Sequence, residues 1–251
     1  METTAKFKPN VQIASDAENL ARRAVGLFVS AARDAIAARG VFSVALSGGS
    51  TPKRFFELLA ETPEALALPW PKVKAFWVDE RYVPPDSPFS NYRLAANAFL
   101  SKVGIPQDNV YRIPTEHEDI KVAVRRYEQT IRAAFGLEAG QMPQFDLVVL
   151  GMGTDGHTGS LFPNSYAPFN AEGLACAVYA LGETLSRVTL THPVLRAARC
   201  LVVLVSGAEK ADTLRAVLTS EPDEVRYPIH VLWPVLDRIT WLVDQDAAQG
   251  I

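Results

Sequence analysis

Five short apolar runs recur along this chain, at Val41–Leu46, Val73–Val78, Phe145–Leu150, Cys200–Val205 and Ile239–Val243. Runs of this length without polar alternation suit strands that are buried on both faces. Weaker strand candidates lie near Val110, at Cys176–Leu181 and at Val188–Leu190. Between the runs, helical periodicity covers about Ala17–Arg39, Lys53–Ala60, Tyr92–Lys102, Ile120–Phe135 and Glu209–Leu218. Ser15 and Glu18 offer a capping box for the first helix, and Gly40 a stop. Strands alternating with helices predict an α/β fold: a Rossmann-like, doubly wound, mainly parallel sheet with helices on both faces. No internal repeat, low-complexity tract or linker breaks the pattern, and Val83–Pro88 reads as a shaped surface loop. One α/β domain over residues 1–251 is the expectation.

Hydrophobic residues make up 48% of the chain, enough to build a core and to exclude general disorder. With 25 basic against 28 acidic residues there is no cationic excess, so no nucleic-acid partner is expected. A local cationic cleft for a small anion remains compatible with that balance. Cys176 and Cys200 fit buried free thiols rather than a disulfide or a nucleophile. His117, His157, His192 and His230 are dispersed, and no metal site is indicated. The start, Met1–Lys6, lacks the apolar region of a secretion signal, and no apolar run reaches the ~18 residues of a membrane span. A cytoplasmic location without membrane association follows as the default. The oligomeric state is left between monomer and small homo-oligomer.

Loops leaving the carboxyl ends of parallel strands share one edge, where ligands bind. Four apolar runs end in unusual loops: Ser47–Pro52, Asp79-Glu80-Arg81, Gly151–Thr158 and Ser206–Lys210. In the first, Gly48, Gly49, Ser50 and Thr51 fit a phosphate cradle, with Thr51 as helix N-cap and Pro52 in the first turn. A plain strand-to-helix turn fits those residues equally well. The third satisfies G-x-G-x-x-G, but Pro163 interrupts the expected helix and no acidic residue stands where a dinucleotide ribose would need it, so no NAD site is expected. What remains presents Asp155 and His157 two residues apart. His157 suits a general base, with Asp155 to orient it, and its ring is expected to have little local packing. Asp79, Glu80 and Arg81 read either as a solvated turn or as the source of a phosphate contact from Arg81. Lys210 in a helix first turn and Arg187 before a strand add two further cations.

At this point the sequence resembles the 6-phosphogluconolactonase family. The resemblance rests on Leu46–Pro52, on Asp79–Pro84 with Ser90-Asn91-Tyr92, and on Phe145–Gly153 running through Asp155-Gly156-His157-Thr158 to Ser160–Pro163. Arg187–Leu190, Ser206-Gly207-Ala208 with Lys210, and Trp241 complete it. Gly159 departs from the family's usual alanine, without removing any chemical group. The resemblance implies hydrolysis of 6-phosphoglucono-δ-lactone to 6-phosphogluconate without a cofactor. His157 and Asp155 would be catalytic, and Gly48, Gly49, Ser50, Thr51, Asp79, Arg81, Asn91, Arg187 and Lys210 would hold the phosphosugar lactone. The alternatives are a glucosamine-6-phosphate deaminase, which shares the fold but carries an acid where Ser160–Pro163 stands, and a non-catalytic phosphosugar binder.

Overall fold

The computed structural model describes residues 8–251, and strand alternates with helix through most of them. β1 (Asn10–Ala14) leads into α1 (Ala17–Arg39), and β2 (Phe42–Leu46) into α2 (Ser50–Leu59) and the short α3 (Pro63–Leu66). Next come β3 (Val73–Trp77), β4 (Asp79–Arg81), α4 (Asn91–Ala95), β5 (Val110–Tyr111) and α5 (Ile120–Phe135). β6 (Leu147–Gly151), β7 (Ala175–Val178), β8 (Arg187–Leu190) and α6 (His192–Ala197) follow. β9 (Leu201–Val205), α7 (Ala211–Thr219) and β10 (Ile239–Asp244) complete the chain. Met1–Lys6, read above for a secretion signal, lies outside the described residues.

Seven strands form one parallel sheet in the order β1-β10-β9-β6-β2-β3-β5. From β2 the chain moves outward to β3 and β5; from β6 it moves the other way, to β9 and β10. The two series part between β2 and β6, so the doubly wound reading holds and the ligand crevice is expected at their carboxyl ends. Every residue of β2 and of β9 is buried, which requires cover on both faces. Part of that cover is α1, whose Phe28 meets Phe42 edge to face with centroids 5.2 Å apart. Tyr127 of α5, fully buried, ties its helix to β3: its hydroxyl donates to the Trp77 carbonyl at 2.6 Å and accepts from the Trp77 amide at 3.0 Å.

Several local expectations differ from what the chain does. A second sheet, antiparallel and ordered β4-β8-β7, stands apart from the parallel one, and it contains the charged triplet read above as a loop. The cap of α1 is Asp16, which accepts from the Asn19 amide at 2.7 Å, while Glu18 turns away to Arg22 and Arg54. The helix expected over Tyr92–Lys102 narrows to α4 followed by a π-helical turn, Ala96–Leu100. β1 and α6 had no clear periodicity; β1 is too polar and exposed to show one, and it forms by pairing with β10. Among the described residues no helix is long and apolar enough to cross a membrane.

Candidate active site

The four segments singled out in the sequence do converge, although Asp79-Glu80-Arg81 is a strand rather than a loop. They follow β9, β6, β2 and β3, which are neighbours in the sheet, and they enclose a cleft of about 200 Å³ at its carboxyl edge. His157, Gly48, Gly49, Ser50, Thr51, Asp79, Arg81, Asn91, Arg187 and Lys210 all line it. Asp155 does not; it stands behind His157, hydrogen-bonded to its ring.

β6 ends at Gly151, and the loop after it is closed by Thr158, whose hydroxyl donates to the Gly151 carbonyl at 2.8 Å. The Gly153 amide donates to the His157 carbonyl at 2.9 Å, folding the segment back on itself. A Cβ on Gly153 would lie 2.2 Å from His157 Nδ1, so only glycine lets the ring sit there. Asp155 Oδ1 accepts twice from His157, from the ring Nδ1 at 2.6 Å and from the backbone amide at 3.1 Å. Burial pushes the Asp155 carboxyl up, but these donors outweigh it and hold it below its ordinary value. An ionised Asp155 keeps the proton on Nδ1 and the lone pair on Nε2. Contrary to the sequence reading, the ring is packed: Phe162 lies against it at a centroid distance of 4.4 Å.

The helix behind the phosphate cradle starts two residues earlier than expected. Gly49, at φ 115°, is the N-cap of α2; Ser50 and Thr51 are already helical, and Pro52 falls third. That φ is open to glycine and strained for other residues. Among the described residues no side chain caps this helix, so its first amides, with the positive end of the dipole, are left free at the cleft. Arg81, Arg187 and Lys210 supply positive charge around the same space. Lys210 is the N-cap residue of α7, and burial lowers its pKa against the opposing pull of Glu209 and Asp244. Among the described residues six buried side-chain polar atoms have no hydrogen-bond partner, and four of them belong to cleft residues: Ser47 Oγ, Asn91 Oδ1, Arg81 Nε and Arg187 Nε. Orphaned polar atoms gathered at one cleft are what a polar ligand would satisfy.

Asp79 and Glu80 are not a solvated turn. Both are buried, at 4% and 2% exposure. Asp79 accepts from Ser160 Oγ at 2.6 Å, which joins the start of β4 to the His157 loop. Glu80 accepts from Ser90 Oγ and from the amides of Arg81, Asn91 and Tyr92, at 2.7–2.9 Å. Burial raises its pKa despite those four donors. It thereby sets the backbone of Arg81 and Asn91, two residues of the cleft wall, and Asn91 Nδ2 closes the corner by donating to the Asp79 carbonyl at 2.9 Å.

A family model described as glucosamine-6-phosphate isomerases/6-phosphogluconolactonase matches residues 15–241. The chain belongs to that family. A 6-phosphogluconolactonase of Synechocystis sp. is 40% identical over 243 residues, spanning 97% of this chain and 98% of the relative. The crystal structure of a 6-phosphogluconolactonase from Leishmania guyanensis superposes with a TM-score of 0.84 at 30% identity, covering 98% and 99% of the two chains. A monomeric glucosamine-6-phosphate deaminase shares the fold, at a TM-score of 0.81 and 19% identity over 96% of this chain.

In this member of the family two cleft neighbours were not foreseen from sequence. Phe162 touches both the His157 ring and the Arg187 guanidinium, the latter 5.1 Å from its centroid. It lay within a quoted block, but nothing local marks an aromatic five residues past a histidine as its packing partner. Glu183 pairs with Arg187 from the loop between β7 and β8, and it carries no sequence signal beyond its charge.

Proposed function

We propose that this protein hydrolyses 6-phospho-D-glucono-1,5-lactone to 6-phospho-D-gluconate, the lactonase step of the oxidative pentose phosphate pathway. The observation that carries this reading is that His157, oriented by Asp155, faces the same cleft as the free α2 amides and three cations. The phosphate is held by the amides of the Gly48–Thr51 turn with Arg81, Lys210 and Arg187. This brings the lactone carbonyl to His157. Nε2 takes a proton from water as the water oxygen adds to the carbonyl carbon, giving a tetrahedral oxyanion. On collapse the bond from that carbon to the ring oxygen breaks, and the imidazolium returns its proton to the departing oxygen. Asp155 holds the tautomer and steadies the imidazolium between the two steps. A lactone is an activated ester, so the chemistry calls for neither a redox cofactor nor a metal. Two free cysteines, Cys176 and Cys200, fit a reducing compartment and support a cytoplasmic setting.

The test is His157→Ala, assayed with freshly generated lactone and corrected for spontaneous hydrolysis. Turnover is expected to fall by about 10²–10⁴-fold while 6-phosphogluconate still binds. A near-normal rate would overturn the role of His157. Ammonia release from glucosamine 6-phosphate in place of lactone hydrolysis would overturn the substrate assignment.

A further inference from the structure

Arg81 and Arg187 are directly opposed across the antiparallel β4–β8 pair, and both line the cleft. Like charges at directly opposed cross-strand positions repel. Among the described residues each also keeps a buried Nε without a partner. Glu183 supplies a counter-charge, through an ion pair with Arg187 Nη2. The two partners differ in their setting. The Arg187 side chain is 13% exposed and lies over the Phe162 ring; that of Glu183 is 34% exposed. Glu183 sits in the eight-residue connection 179–186, whose Tyr179 and Leu181 are largely exposed and whose end is tied down where the Tyr82 amide donates to the Ser186 carbonyl at 2.8 Å.

We propose that Glu183 is a displaceable internal counter-ion for Arg187, which yields to the substrate's phosphate on entry and returns to help release the product. The proposal rests on the phosphosugar reading of the cleft. Hydrolysis turns a neutral lactone ring into a carboxylate, so the product carries one more negative charge than the substrate. A cleft walled by Arg81, Arg187 and Lys210 therefore holds product more tightly than substrate. A carboxylate tethered beside Arg187 competes with both anions at high effective concentration. It weakens ground-state binding, and it acts most on the anion that leans hardest on the arginines, which keeps release from limiting turnover.

Glu183→Gln preserves the shape and removes the charge; Glu183→Ala removes both. Thermal melting checks that each variant is folded. Calorimetry with 6-phosphogluconate and with inorganic phosphate reads affinity, and the lactonase assay reads KM and product inhibition. In both variants the two anions are expected to bind about fivefold more tightly, with a lower KM and stronger product inhibition. If Glu183 merely holds Arg187 in position, binding weakens and KM rises in both variants; either that result or unchanged affinity overturns the proposal. A wild-type protein that binds neither anion overturns the phosphosugar reading together with the proposal. Binding by the wild type with no gain in the variants overturns the proposal alone.

Discussion

Replacing Asp155 by Asn removes a charge and leaves the shape of the side chain, which isolates what the carboxylate does for His157. Its Oδ1 receives both the ring and the backbone N–H of that histidine, at 2.6 and 3.1 Å. A hydrogen bond to a charged group is worth about 1.5–3 kcal/mol when well shielded. The Asp155 side chain is 45% exposed, and solvent screening brings the figure to ~1–2 kcal/mol. At ~1.4 kcal/mol per decade, kcat should fall about 5- to 30-fold. That is far short of the ~10⁴-fold cost of the same change in the buried triad of serine proteases. KM should hardly move, because Asp155 does not line the cleft. The assay follows acid release from freshly generated lactone at several enzyme concentrations, with the uncatalysed rate subtracted. The decisive comparison is the double variant with His157→Ala. If Asp155 acts only through the imidazole, adding Asp155→Asn to His157→Ala costs nothing more. Additive losses, or an unchanged kcat in the single variant, would refute the assignment.

Two other substitutions probe the walls of the cleft. Gly153 has a backbone that alanine can adopt, but the added Cβ would lie 2.2 Å from His157 Nδ1 and 2.7 Å from Asp155 Oδ1. Gly153→Ala should therefore lower kcat by about 10²-fold through misplacement of the ring, with little change in melting temperature; full activity would mean that the ring position is not critical. Because burial lowers the Lys210 pKa, raising the pH discharges this lysine earlier than an ordinary one. For stability, the cost of keeping it charged is full below the folded-state pKa and vanishes above the unfolded value. Phosphate binding should push the pKa back up, so calorimetry in buffers of different ionisation enthalpy should detect proton uptake on the alkaline side. Lys210→Arg should abolish that uptake, and its persistence would point to another group.

The strand runs in the parallel sheet, the long helices α1 and α5 and the turn carrying His157 were legible before any coordinates, because each is specified by neighbours in the chain. A short apolar run bounded by glycine and polar turns fits a covered strand, and a 3.6-residue apolar stripe fits a packed helix. Asp155 reaches His157 because a single glycine, Gly156, separates them. Caps were less legible: Asp16 and Ser15 are both good N-caps, and Gly49, at φ 115°, takes the N-cap position of α2 that Thr51 could equally have filled.

The rest of the site depended on partners far away in sequence. Asp79 finds Ser160 at a separation of 81 residues, and Arg81 meets Arg187 only because β4 turns out of the parallel sheet to pair with β8. A run of Asp, Glu and Arg reads as solvated until donors are known, and the donors that bury Glu80 come mainly from the N-terminal turn of α4. The sequence by itself thus determined the α/β class, the order of most elements, and the local pairing of Asp155 with His157. Only the tertiary structure decided which charges are buried, which arginines oppose each other, and that Glu183 stands beside one of them. Periodicity and turn geometry act over a few residues, whereas Coulomb and desolvation energies depend on distances through space that the linear order leaves open.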